Sequence, residues 1–444
     1  MPTPLSIAVF LTGLAALLAA RSADATEVLG AWVNGLWNPS LIRFGFQAMF
    51  MLVLGHVLAL APPVTKALDR AVQWTVRDAR WVASKLALVS MALGWLNWGL
   101  GLVGGAILVR GVMDFYRQRE GNSPVHWGVL GAAGYSGMLV WHGGLSGSAP
   151  LKVAESGHLQ ELVGTAEWAT ELPASIGLRE TVFSSWSLAL TAAVAIATVA
   201  TFAWLGRNVR PENATRPLPA KPHSDMEAEE DLRGWAERLD RGRWLSAITG
   251  LTLLVGAGWW ATSGAPWHEL KFITPDWINM VLLGGALAAH SSIRDFLIAL
   301  DEAIRGASGI LVQFPLYFGI MGMVTGTGLG GWIAAGLVGA TSLDWLPIAL
   351  FTSSGVLNIF VPSGGGQWAV QGPLVLESCR ALGLDYAKGI MAMAYGDQLT
   401  NMLQPFWALP LLGITGLKAR DILPYTLLLM VIAGSVMAVG MCFW

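Results

Sequence analysis

Asn358-Ile359-Phe360-Val361-Pro362-Ser363-Gly364-Gly365-Gly366-Gln367-Trp368-Ala369-Val370-Gln371-Gly372-Pro373 is a polar, proline-broken, triple-glycine run set between apolar stretches. Inside hydrocarbon an irregular backbone leaves polar groups without water. It survives there only where protein or an aqueous cavity lines it. A break of this kind therefore marks a ligand site in a membrane chain.

The composition makes this such a chain. Of 444 residues, 54% are hydrophobic and 13% charged, against roughly 25% charged in soluble domains. The mean hydropathy is +0.55. The 22 Trp suit interfacial belts, and the 53 Gly permit close helix approach. A net charge of −2 points to no nucleic-acid partner, and Cys379 and Cys442 are too far apart to suggest a disulfide framework.

Apolar runs long enough to cross about 30 Å lie near 5–20, 41–61, 181–205, 244–262, 275–290, 306–325 and 421–443. The first has no Lys or Arg in residues 1–4, so it reads as an uncleaved span rather than a signal peptide. Two stretches differ in kind: 84–110 is interrupted at Asn97-Trp98-Gly99, and 345–378 at Asn358 through Gln367. With each half only about a dozen residues by the spacing of an α-helix, both are expected to be re-entrant helical hairpins. Segments 124–165 and 385–416 break at Trp141 to Pro150 and at Gly396 to Pro405, as discontinuous spans do.

The order then repeats. A span with Gln47, a hairpin broken at Asn97 and a helix broken near Ser146 are matched by Gln313, Asn358 and Asn401. The spacings are 50 and 45 residues from Gln to hairpin Asn, and 49 and 43 on to the second break. The expected fold is an all-α polytopic membrane protein of two inverted repeats, 1–205 and 244–444, joined by a hydrophilic cytosolic linker, 206–243. The acidic run from Asp225 to Asp231 in that linker reads as a solvated face.

The breaks supply the candidate site: Asn97, Trp98, Gly99, Ser146, Ser148, Asn358, Ser363, Gly364, Gly365, Gly366, Gln367, Asp397, Gln398 and Asn401. Helix N-termini near Gly99 and Ser363 would offer free N–H groups to a carboxylate, and glycine lets an anion approach closely. Carbonyls at the breaks, with Asn97, Asn358 and Asn401, could instead hold Na⁺. Asp397 is costly to bury and so functional by default. With His142, a residue type that titrates near neutrality when unperturbed, it is the candidate for exchanging H⁺. No Lys or Arg lies at these breaks.

Three long runs carry a family resemblance: Gly309-Ile310-Leu311-Val312-Gln313-Phe314-Pro315, then Val361 to Pro373, then Ala394 to Pro410. With Asn97 to Gly101 and Gly143 to Pro150, they resemble the bacterial short-chain fatty acid transporters, over nearly the whole chain. The resemblance implies an inner-membrane carrier taking up butyrate, acetoacetate and similar monocarboxylates. It also implies coupling to Na⁺ or H⁺, elevator-like alternating access and a homodimer. One member of that family has Gly where His142 stands and Glu where Asp397 stands, which puts pH coupling in play. The alternatives are a related ion-coupled carrier for another small organic anion and an intramembrane enzyme using Ser146 with His142. Gly144 to Ser148 is no nucleophile elbow, and neither a metalloprotease helix motif nor a P-loop occurs, so the reading is not enzymatic.

Charge orients the chain. With a cytosolic N-terminus, twenty Lys and Arg fall inside and seven outside, which places Trp444 outside. Cysteines introduced for Asp225 and Gln160 test this by labelling in whole cells. Reaction of 160, but not 225, with an impermeant reagent from outside is expected; the reverse pattern would invert the topology.

Overall fold

The computed structural model describes residues 4–118, 125–164, 167–209, 234–263, 270, 272–329, 332, 336, 340–360, 364–404 and 407–443. Among them the regular structure is entirely helical. A helix satisfies its own backbone groups, which is what an apolar solvent demands. Four described helices are long and apolar enough to cross a membrane: Trp98–Arg117, Ser185–Asn208, Arg243–Ser263 and Ala419–Met441.

At both stretches expected to form hairpins, two helices pair with each other. In the first, Val82–Leu96 turns at Asn97 into Trp98–Arg117. A Cβ on Gly101 would lie 2.5 Å from Gly94 Cα, and one on Gly105 3.4 Å from Ser90 Oγ, so the arms run back along each other. The second arm is longer than the sequence reading allowed, at 20 residues. Arg110 does not end it, because its guanidinium is held beside Asp114 at 3.2 Å and donates to the Ile414 carbonyl at 2.9 Å. In the second hairpin, Leu346–Phe360 pairs with Gly364–Leu382 through hydrogen bonds from Gln367 to Ser354 and from Gln371 to Ser353.

The breaks in the other two segments fall differently from one another. The first is where the sequence puts it, between the turn of 3₁₀-helix Ser136–Leu139 and helix Ser148–Val153. The second comes later. Helix Tyr386–Thr400 runs through Gly396, Asp397 and Gln398 and gives way only at Asn401. Asn358 likewise lies inside its helix, two residues before the end at Phe360, whereas Asn97 is itself the turn between two helices. A polar side chain interrupts a helix only when it takes over a backbone bond, as Asn97 does by capping Leu100 N–H.

The contacts give each repeat the same internal order. In the first, Ser136 Oγ reaches Ala87 O and Leu145 N–H reaches Trp95 O. In the second, Ser354 Oγ reaches Met393 O and Asn358 Nδ2 reaches Asp397 O. Each hairpin's first arm therefore runs parallel to the broken helix of its own repeat. Between repeats the direction reverses: Tyr135 meets Asn401, while His142 and Gly143 meet Gln398. The broken helices thus cross antiparallel, as inverted repeats require.

Around this crossing stand the helices bearing Gln47 and Gln313, Pro39–Leu60 and Ile293–Gly326. A helix absent from the sequence reading, Ala25–Leu36, packs against the latter, with Gly35 against Gly322. Its start is legible in retrospect, since Asp24 and Glu27 form a capping box ahead of an apolar run.

Two substitutions probe this packing. A Cβ on Gly396 would run into the Phe351 carbonyl, while one on Gly285 meets nothing within 4 Å. Thermal unfolding in detergent is expected to show Gly396→Ala destabilised by about 1–3 kcal/mol and Gly285→Ala unchanged or stabilised. The Tyr135 hydroxyl donates to Asn401 O at 2.9 Å. Tyr135→Phe leaves that buried carbonyl without this donor and should cost about 1–3 kcal/mol by the same measurement.

Candidate functional site

Asn97 ends one helix and begins the next with extended backbone, φ −158° and ψ 127°. Its Oδ1 accepts from Leu100 N–H at 2.8 Å, so this oxygen is committed to the cap. Ser146, from the break of the partner helix, accepts the Trp98 N–H at 2.8 Å. The first tip is therefore stitched to the first broken helix. Gly99 is pressed against Leu52, leaving no room for a side chain. Trp98 lies at the centre of an aromatic group, 5.3 Å from Trp407 and 6.0 Å from Trp141.

The second break is built on Asn358. Its amide nitrogen, with two hydrogens to share, lies within hydrogen-bonding distance of three acceptors: Asp397 O at 2.7 Å, Thr400 Oγ1 at 2.9 Å and Asn401 Oδ1 at 3.0 Å. Gln404 Nε2 donates to Asn358 O at 2.5 Å. Gln367 lies to one side, donating to Ser354 and Gln371. Among the described residues the acceptors here that are buried without a hydrogen-bond donor are Asn358 Oδ1, Gln367 Oε1, Gln404 Oε1 and both carboxylate oxygens of Asp397.

The halves meet at His142 and Asp397, both fully buried. His142 Nδ1 lies 2.5 Å from Asp397 Oδ2, a close approach that lacks the alignment of a straight hydrogen bond. His142 Nε2 accepts the Ala149 N–H at 3.1 Å. That nitrogen accordingly presents its lone pair, and a neutral ring carries its proton on Nδ1, towards the carboxylate. Gln398 Oε1 completes the junction by accepting both His142 N–H, at 3.0 Å, and Gly143 N–H, at 3.1 Å. Trp141 stacks on the His142 ring with centroids 4.5 Å apart. Gly364 closes the group from the second hairpin, where a Cβ would stand 2.8 Å from Asp397 Oδ2 and 2.7 Å from Trp141.

The structure thus gathers Asn358, Asp397, Gln398, Asn401, His142 and Gly364 into one buried junction, with Asn97, Trp98 and Ser146 joined to it through Trp141. Gly365 lies apart, on the wall of a cavity of about 850 Å³. Ser148 opens its helix, and Gly366 is buried in the second hairpin arm. Ser363 lies outside the described residues. Ser146 and His142 are engaged with other partners, Trp98 N–H and Asp397, rather than with one another as a hydrolytic pair requires. The sequence reading missed Trp141, Trp407 and Tyr135 as parts of the junction. Trp141 stands next to His142 in the break itself, but the abundance of tryptophan hid it.

Comparison with known proteins agrees with this architecture. The family described as "Short chain fatty acid transporter" matches residues 1–444. A relative from Escherichia coli named "Putative short-chain fatty acid transporter" is 34% identical, covering 99% of this chain and 96% of its own. A Haemophilus influenzae protein of the same name is 33% identical, covering 100% and 96%. In three dimensions the chain is similar to the Alcanivorax borkumensis YdaH transporter, with a TM-score of 0.56 and 14% identity over 100% of this chain and 99% of that one. It is similar also to Neisseria gonorrhoeae MtrF, of a class of antimetabolite efflux pumps, with a TM-score of 0.57 and 13% identity over 100% and 95%. Those two likenesses carry the fold alone. Sequence, helical architecture and full-length relatives agree that this chain is a multi-pass membrane protein and a transporter rather than an enzyme, and that it belongs to the short-chain fatty acid transporter family.

Proposed function

We propose that the chain takes up short-chain monocarboxylates such as butyrate and acetoacetate across the bacterial inner membrane, each anion travelling with a cation held at the crossing of the two breaks. The observation that carries this reading is the buried His142–Asp397 pair beneath Gly364. An isolated carboxylate in such a place is expensive, so Asp397 requires a proton or a cation beside it. The side chain that directly faces it is the imidazole of His142. A monocarboxylate entering the same dry junction adds a second negative charge. Co-transport of one cation cancels that charge, which is the physical reason for coupling.

The polar groups sort by sign. Asn97 Nδ2, Asn401 Nδ2 and Trp141 Nε1 are buried donors that meet no acceptor among the described residues, and they suit a carboxylate. Trp98, Trp141 and Trp407 suit a short alkyl tail. Asn358 Oδ1, Gln404 Oε1 and Asp397 Oδ1 suit Na⁺. Of the three asparagines offered by the sequence for Na⁺, only Asn358 leaves its side-chain oxygen unspent, since those of Asn97 and Asn401 already accept hydrogen bonds. Inverted repeats crossing at one site, flanked by the Gln47 and Gln313 helices, support alternating access of the elevator kind.

The test is uptake of labelled butyrate and acetoacetate into proteoliposomes under imposed Na⁺ or pH gradients. With a proton on the pair, Asp397→Asn and His142→Gly should each lose the response to a pH gradient, lowering driven uptake by about 5–150-fold, the span of ordinary coupling free energies. If both variants keep the wild-type pH profile while a Na⁺ gradient drives uptake, the cation is Na⁺, and Asn358→Leu should then abolish the Na⁺ response. Absence of uptake of either acid under both gradients overturns the carrier reading.

A further inference from the structure

The cavity of about 850 Å³ is walled by Arg43, Lys152, Glu155, His158, Gly365 and Trp368 among others. Neither His142 nor Asp397 lines it. Between cavity and pair stands the start of helix Gly364–Leu382: Gly365 and Trp368 face the cavity, and Gly364 covers the pair. A solute in the cavity reaches the junction by this route only if that helix end moves.

Besides the Gln367–Ser354 and Gln371–Ser353 bonds to the other hairpin arm, two contacts hold it on the cavity side. Trp368 Nε1 donates to His158 Nε2 at 2.9 Å, and Gly372 packs against Leu162, whose Cδ2 would lie 2.6 Å from a Cβ there. Both partners belong to the short helix His158–Val163, which is itself anchored. Gln160 Nε2 donates to Leu172 O at 3.0 Å and to Pro173 O at 3.1 Å, and Gly157 N–H donates to Ala174 O at 2.9 Å. At its far end the Gly364–Leu382 helix stops at Gly383, where φ is +79° and the chain reverses direction. An indole N–H can only donate, so a buried Trp368 needs the lone pair that His158 supplies.

We propose that helix Gly364–Leu382 is the door between the cavity and the His142–Asp397 junction, and that the Trp368–His158 hydrogen bond is its latch. His158 and Trp368 are then positioning residues: they line the cavity and set how often the door stands open, without reaching the His142–Asp397 junction. This rests on the carrier reading above, and the experiment separates the two.

In a full-length protein with Cys379 and Cys442 replaced by Ser, Leu162→Cys and Gly372→Cys are combined, and butyrate exchange is measured in proteoliposomes before oxidation, after it and after reduction. Oxidation should arrest exchange and reduction restore it. Separately, Trp368→Phe and His158→Leu should each shift the substrate KM by about 2–10-fold, the factor one net hydrogen bond is worth. The double variant should add nothing to either single change. His158→Gln, which keeps an acceptor, should stay near wild type. An oxidised double cysteine that exchanges at the reduced rate overturns the door, as does a Trp368→Phe variant with wild-type KM. If the reduced parent exchanges no short monocarboxylate, the carrier reading falls and the door with it; if it exchanges freely and the cross-link changes nothing, only the door falls.

Discussion

Everything in this molecule turns on where the backbone groups freed by two broken helices find partners away from water. Several are met by side chains from elsewhere in the chain. Ser146 takes the Trp98 N–H, Gln398 takes those of His142 and Gly143, Tyr135 caps the Asn401 carbonyl, and Gln404 caps that of Asn358. Several of these bonds run between repeats. A helix break in one half is thus stabilised in part by the other half inverted beside it, and the antiparallel crossing follows from the polar groups as well as from apolar packing.

The second consequence is electrostatic. Bringing the breaks together brings Asp397 against His142 with Trp141 stacked on the ring, and no lysine or arginine is recorded as an ion-pair partner of Asp397 among the described residues. A negative charge in such a place is stable only with a compensating positive charge or hydrogen-bond donors beside it. The cost of burying Asp397 and the proposed coupling thus rest on the same feature, an acid buried against His142.

Glycine makes the geometry possible at a few positions. Gly396 against the Phe351 carbonyl sets the hairpin arm flush with the broken helix, and Gly364 sits over the pair without a side chain to fill the space. In these places backbone approaches backbone, or a carboxylate, more closely than any Cβ permits. The Gly364 end also faces both the cavity region and the buried junction, so one segment serves as wall to the first and roof to the second.

Much of this was legible in the chain itself. Composition and apolar run lengths determined a polytopic helical protein, and the order of polar interruptions determined the hairpins and the repeat, because a broken helix in hydrocarbon needs polar or small residues at the break. Asn97 and the Trp141 to Pro150 break were placed by that logic, and the candidates Asn358, Asp397, Gln398 and Asn401 lie together at the buried junction. What the sequence missed depends on distant partners. Gly396, Asp397 and Gln398 stay helical because the hairpin arm packs against them, Arg110 lies inside a helix because Asp114 and the Ile414 carbonyl receive it, and Asn358 serves the opposite break rather than its own. Local residue type says where a helix can break; only the tertiary structure decides where it does, because the outcome depends on which buried groups find a partner across the fold.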